Sequence, residues 1–215
     1  MAHAQGSAGR GPAGLAARVR SYLAWRRGET ERRAERRRLL DALPKNAVGA
    51  EVGTWKGDFA AQLLAATRPQ RLYLIDPWEH REEGEYGQAL FGGGGEEGRA
   101  RMEAVHAEVL ARFGSEIERG QVLVRRAKSG DAAAEFGEGA LDWAYIDGDH
   151  TYDAVKADLD AYLRALRPGG MLAGDDYGVP GWWEDGVTRA VDELGASGRC
   201  EGPTIIGSQF LFKKL

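Results

Sequence analysis

The stretch LDWAYIDGDHTYDAVKADLDAYLRALRPGGMLAGDD, residues 141–176, decides the fold. It opens on a short apolar run, LDWAYID (141–147), that reads as a buried strand. Residues 151–166 then carry a helical pattern. The helix stops at Arg167-Pro168-Gly169-Gly170, because proline cannot continue a helix and glycine readily ends one. GMLAGDD (170–176) follows as a second strand. Two strands joined through a helix lie parallel in one sheet.

Working outward, the same alternation recurs. AVGAEVG (47–53) is a strand running into a glycine turn, and residues 57–67 read as a helix. RLYLID (71–76) and QVLVRRA (121–127) are further strands, and residues 184–196 are helical. TIIG (204–207) and QFLFKK (209–214) close the chain as a hairpin around Gly207-Ser208. The expectation is an α/β fold: a seven-stranded, mostly parallel sheet with a C-terminal antiparallel hairpin and helices on both faces.

Three segments stand apart. Residues 1–13 are rich in Gly, Ala and Ser and read as disordered. Residues 14–45 read as a basic helical arm or lid, with Leu15, Val19, Tyr22 and Leu23 at helical spacing and a second helix from Thr30 to Leu43, ahead of Pro44. The domain proper is then 46–215, with an insertion at 80–118 that holds an acidic segment, the run Gly92–Gly95 and a helix over 97–113. Such an insertion is either a lid or ordinary loop decoration.

Composition narrows the partners. The net charge of −4 hides an asymmetry: residues 1–45 carry eleven Lys/Arg against four Asp/Glu, and the remainder eighteen against twenty-nine. An acidic body argues against nucleic acid, whose phosphates need clustered cations. No apolar run approaches membrane-spanning length. The lone Cys200 excludes an internal disulfide, and with no secretory apolar stretch a cytoplasmic location is expected. The basic N-terminal segment could contact an anionic partner or be a solvated helical arm, and the N-terminal helices suit a homodimer contact or a lid.

In an open parallel sheet, ligands bind beyond the carboxyl ends of the strands. The first end is Glu51-Val52-Gly53-Thr54-Trp55-Lys56-Gly57, a glycine turn that lets a ligand approach the backbone. Its glycines fall at 49, 53 and 57, which is not the dinucleotide spacing and speaks against a nicotinamide oxidoreductase. The second end is Asp76, placed to accept ribose hydroxyls or to cap a helix, with Trp78 available to pack on adenine. At the third, Ser129 or Asp131 either caps the next helix or touches adenine. The fourth and fifth bring Asp147, Asp149, Asp175 and Asp176 into one crevice. Like charges that close repel, and a hard divalent cation resolves the conflict; the alternative is that these aspartates cap turns. His150 is a candidate base, substrate contact or packing residue. Trp182 and Trp183 either wall a ring-bearing substrate or belong to the core. His80 and His106 have no supporting constellation.

Glu51 to Gly57, Asp76-Pro77-Trp78, Tyr145 to Tyr152, Leu166 to Gly170 and Gly174-Asp175-Asp176-Tyr177 together resemble the class I S-adenosylmethionine (SAM)-dependent methyltransferases, which have a Rossmann-like fold. Within them they are most similar to macrocin-type, metal-dependent O-methyltransferases of antibiotic sugars. The likeness covers about residues 45–195. It implies SAM as cofactor and Mg²⁺ or another divalent cation bound by Asp147, Asp175 and Asp176. Asp149 is then the general base, with His150 beside it. Glu51, Gly53, Thr54, Trp55, Asp76, Trp78, Ser129 and Asp147 would contact SAM, and Tyr177, Trp182 and Trp183 the acceptor. The implied reaction is methyl transfer to a hydroxyl of a small natural product. The rival within the fold is a metal-independent N- or O-methyltransferase. The insertion and N-terminal region do not match the antibiotic-sugar enzymes, so substrate identity does not transfer.

Overall fold

A computed structural model of the chain describes residues 28–81, 86 and 95–215. The expectations for residues 1–27 and for the glycine run up to residue 94 lie outside the described residues. Helix α1 spans 28–42, so the second helix of the arm is present. The core elements follow: β1 (Val48–Val52), α2 (Asp58–Thr67), β2 (Arg71–Asp76), α3 (Gly95–Arg112), α4 (Gly114–Glu118), β3 (Val122–Arg126) and α5 (Ser129–Ala134). Then come β4 (Leu141–Ile146), α6 (Tyr152–Ala165), β5 (Leu166–Gly174), α7 (Gly186–Ala196), β6 (Cys200–Ile206) and β7 (Gln209–Lys214).

The seven strands form one sheet in the order β3-β2-β1-β4-β5-β7-β6. The first five pair parallel, and β7 pairs antiparallel with both β5 and β6. The expected architecture is therefore present. β5 starts earlier than its sequence suggests. Arg167-Pro168-Gly169-Gly170 lies inside the strand, accommodated by an irregular register between Leu141 and Trp143 of β4. A bulge is where a strand tolerates a proline that donates no hydrogen bond.

Helices cover both faces because the strands are apolar on both. One core unites β-sheet residues such as Ala144, Leu172 and Phe212 with α5, α6 and α7. The other unites Leu72, Trp143 and Tyr145 with α1, α2 and α3. Helix α6 shows why it docks: Val155, Asp158, Leu159, Tyr162 and Leu163 are buried at a spacing of three and four, on one stripe of the helix. Helix α1 applies Leu39, Leu40 and Leu43 to its own sheet, so these apolar residues of the arm are already covered within one chain. Cys200 is buried in the first core, a packing residue. Among the described residues, no helix is long and apolar enough to cross a membrane.

The parallel registers set the site. Val52 stands beside both Ile75 and Ile146, and Ile146 beside Gly174. The residues that follow these strands, Gly53, Asp76, Asp147 and Asp175, thus emerge along one rim. The chain leaves β1 for β2 and β3, then crosses back to β4 on the other side. That reversal opens a crevice between the β1 and β4 ends.

Candidate active site

A cleft of about 690 Å³ occupies this rim. It has two ends of different chemistry.

At the first end the β1 turn is held by close backbone contacts. Gly53 has φ +89, and a Cβ there would lie 2.0 Å from the carbonyl oxygen of Asp147. Only glycine fits such a conformation at such a distance. The Gly53 N–H donates to the Ile75 carbonyl at 2.8 Å. Asp76 closes the turn: its Oδ2 accepts the Trp55 N–H at 2.9 Å and its Oδ1 the Trp78 N–H at 2.7 Å. Burial raises its pKa, against the pull of those two amides. Each oxygen retains a lone pair for a further donor. Gly53, Trp55, Asp76 and Ser129 all line the cleft.

Trp78 does not. It is 1% exposed, stacks on His106 at 4.6 Å and donates its indole N–H to the Trp55 carbonyl at 2.9 Å. It is a wedge under the turn, and Pro77 stands at the cleft in its place. Glu51 and Thr54 are also buried, at 2% and 4% exposure, behind the glycine turn. Glu51 Oε2 and Thr54 Oγ1 have no hydrogen-bond partner among the described residues. Burial drives the Glu51 carboxyl well above its usual range.

The second end is acidic. Asp147, His150 and Asp176 present ligand atoms within 4.8 Å of one another. His150 Nε2 lies 3.3 Å from both Asp147 Oδ1 and Asp176 Oδ2. Asp176 has φ +63, an unusual conformation for a side-chain-bearing residue and one that recurs at functional sites. Desolvation pushes the Asp147 carboxyl up to about 6, reinforced by Asp175 and Asp176 and opposed by His150. For His150, burial favours the neutral ring, but Asp147, Asp176 and Asp149 outweigh it and its pKa rises.

Asp175, which the sequence reading places in the ligand set, lines the same cleft but stands outside this trio. Its Oδ1 accepts from Ser208 Oγ at 2.6 Å and from the Asp176 N–H at 2.9 Å. Its Oδ2 faces the Tyr145 hydroxyl at 3.3 Å and the Arg36 guanidinium at 3.8 Å. Gln209 in turn donates to Tyr145 Oη at 2.9 Å. The hairpin turn and α1 therefore supply the partners of the Asp175 carboxylate, which still lines the cleft. Asp149 is likewise engaged. Its Oδ1 accepts the Thr151 N–H and hydroxyl, at 3.0 and 2.9 Å, and its Oδ2 meets Arg81 at 3.3 Å and the Tyr86 hydroxyl at 2.9 Å.

Trp182 and Trp183 line the cleft at right angles to each other, 5.6 Å apart, with His150 against Trp183 at 4.6 Å. Tyr177 points elsewhere: its hydroxyl donates to Asp192 at 2.9 Å, so it is a surface tie to α7 and no substrate wall. Sequence reasoning missed Arg36, Arg81 and Asp158, all of which line the cleft. Only Asp158 left a signal, a carboxylate on the apolar stripe of α6.

The family described as methyltransferase domain matches residues 50–177. No curated protein matches the sequence. Among solved structures, a protein from Corynebacterium glutamicum is similar at 16% identity, with 97% of this chain and 92% of that chain covered and a TM-score of 0.58. The N-methyltransferase NodS from Bradyrhizobium japonicum WM9 is 16% identical over 86% of this chain and 96% of its own, with a TM-score of 0.52. A geranyl diphosphate C-methyltransferase from Streptomyces coelicolor A3(2), solved with Mg²⁺, geranyl-S-thiolodiphosphate and S-adenosyl-L-homocysteine, is 11% identical, with 81% of this chain and 72% of that chain covered and a TM-score of 0.53. Identities this low establish a shared fold.

Proposed function

Because the chain belongs to the methyltransferase-domain family, we propose that it transfers the methyl group of SAM to a hydroxyl of a small, ring-bearing molecule, with a divalent cation at the acidic end of the cleft. The observation that carries this reading is the pairing of two ends in one cleft. Asp76 offers a carboxylate suited to ribose hydroxyls. Across the β1–β4 crevice stand the Asp147–His150–Asp176 trio and the two tryptophans.

The trio fits a cation. Two carboxylates and an imidazole converge, and both carboxyl pKa values are raised by burial, which a positive charge would relieve. An imidazole in the set suits a transition ion better than Mg²⁺, which prefers oxygen alone. A cation there would supply a lowered hydroxyl pKa and a fixed direction for the acceptor oxygen. The chain's own groups do the rest. Trp182 and Trp183 orient the ring. Asp149 takes the proton, exchanging the Tyr86 hydroxyl at its Oδ2 for that of the acceptor. The oxygen lone pair forms the new O–CH₃ bond while the C–S pair returns to sulfur, leaving neutral S-adenosylhomocysteine. Holding both partners at attack distance is the main source of rate.

A second reading has its own observation. His150 already lies between Asp147 and Asp176 at 3.3 Å from each, and protonated it would neutralise them without a metal. Titration of the chain with Mn²⁺ and with S-adenosylhomocysteine separates the two. The cation reading expects one tight Mn²⁺ site per chain and loss of methyl transfer on chelation. Cofactor binding without any Mn²⁺ site, with activity kept in EDTA, would establish the metal-independent reading. No binding of S-adenosylhomocysteine would remove both.

A further inference from the structure

We propose that the methyl acceptor is an anionic ring compound and that the Arg36 guanidinium holds its carboxylate or phosphate; the inference rests on the methyltransferase reading above. Arg36 is delivered by α1, whose residues 28–42 lie outside the 50–177 matched to the family. Position 36 shares a helical stripe with Leu39, Leu40 and Leu43. These leucines are buried on the sheet, so the docked face of the helix carries Arg36 to the cleft. Other arginines of α1 are engaged within the helix itself: Arg32 and Arg33 pair with Glu29, and Arg37 with Asp41.

The Arg36 guanidinium is positioned without being saturated. Its carbon lies 5.7 Å from the centre of the Phe59 ring, and Phe59 in turn rests on Tyr145 at 4.4 Å. That stacking braces a half-exposed side chain. Its ionic partner, Asp175 Oδ2, is 3.8 Å away, beyond hydrogen-bond length. Asp175 already accepts from Ser208, the Asp176 N–H and Tyr145. A loose pair of this kind contributes little to stability, which leaves Arg36 ready to turn to a ligand. The other cations along the cleft are engaged or distant. Arg81 reaches Asp149 at 3.3 Å, and His150 stands between Asp147 and Asp176. Lys128 follows β3, at the far edge of the parallel strands. The planar fork of a guanidinium matches two oxygens of a carboxylate or phosphate. Asp175 is the chain neighbour of Asp176, so an anion on Arg36 sits beside the trio that would meet the hydroxyl. Without that counter-charge, the aspartates gathered there would repel any anion. Trp182 and Trp183 line the same cleft and suit the ring.

Benzoate, phenyl phosphate and the neutral benzyl alcohol serve as probes. Their affinities are measured by ligand-observed NMR on the full chain, with S-adenosylhomocysteine and Mg²⁺ present. Wild type is expected to hold the tighter of the two anions about tenfold better than the alcohol, the scale of a hydrogen bond to a charged group. Which anion is tighter tells carboxylate from phosphate. Arg36→Gln should cut the preference to about twofold or less, and Arg36→Lys, which keeps the charge but not the fork, should retain about threefold. A wild type with no preference for either anion, or with no binding of any probe, overturns the inference and leaves the cofactor reading intact. So does an Arg36→Gln variant that keeps the full preference. Failure of the wild type to bind S-adenosylhomocysteine overturns the cofactor reading instead. If Arg36→Gln does not fold, chemical protection in wild type decides. The tighter anion should shield Arg36 from modification by phenylglyoxal, read by peptide mass mapping, and unchanged modification overturns the inference.

Discussion

Asp76 accepts hydrogen bonds from two backbone amides, which orient its carboxylate. Asp76→Ala is therefore expected to weaken S-adenosylhomocysteine binding by at least roughly tenfold, through loss of ribose acceptors and of the turn that presents them. Unchanged affinity by calorimetry would show that the ribose lies elsewhere. The two adjacent aspartates after β5 invite a paired comparison. Asp176→Asn should abolish Mn²⁺ binding, whereas Asp175→Asn should reduce it far less, because Asp175 answers to Ser208, Tyr145 and Arg36. Equal loss in both variants would restore the arrangement expected from the sequence. Side-chain direction is the part that the sequence does not carry, for a physical reason. Position along a strand tells which rim a residue reaches, but the direction of its carboxylate depends on partners from remote segments, here the β6–β7 turn and α1. Trp78 illustrates the same limit. Its place after Asp76 was legible, whereas its burial beneath the turn depends on His106 of α3.

Strands and helices were far more legible than side-chain directions. The runs 71–76 and 141–147 match β2 and β4 to within a residue, because a two-sided buried strand writes a continuous apolar run. The Pro168-Gly169-Gly170 break was read correctly as the end of α6 and wrongly as a gap before β5, since pairing with Leu141 extends the strand through it. Local signals mark where a helix must stop, but only a neighbour decides where a strand begins. At this scale α1 makes a firm prediction. Leu39 is fully buried against the sheet, and Leu39→Ala should cost about 2–5 kcal/mol in urea unfolding. A cost below ~1 kcal/mol would mean that α1 docks only loosely. Gly53→Ala is harsher still. Its Cβ would meet the Asp147 carbonyl in a left-handed conformation, so cofactor binding should fall even where the fold survives.

For the molecule as a whole, acid is unusually well tolerated at one buried position. The Asp158 carboxyl is raised to about 6 from an ordinary 3.8, so the folded chain holds that proton more tightly than the unfolded chain. Stability from this group is greatest below the lower value and declines as pH rises through the higher one. The unfolding free energy of Asp158→Asn relative to wild type should therefore grow by roughly 2–3 kcal/mol between about pH 4 and pH 7. A pH-independent difference in a urea series would place the carboxyl in contact with water. The fold also has a thermodynamic consequence. Gly53 of the β1 turn packs directly on the backbone of Asp147, whose side chain belongs to the acidic trio. On the proposed reading, cofactor and cation would therefore meet across a single shared partition rather than in separate chambers. Whatever factor the acceptor or cation imposes on cofactor affinity, the cofactor must return to it in equal measure.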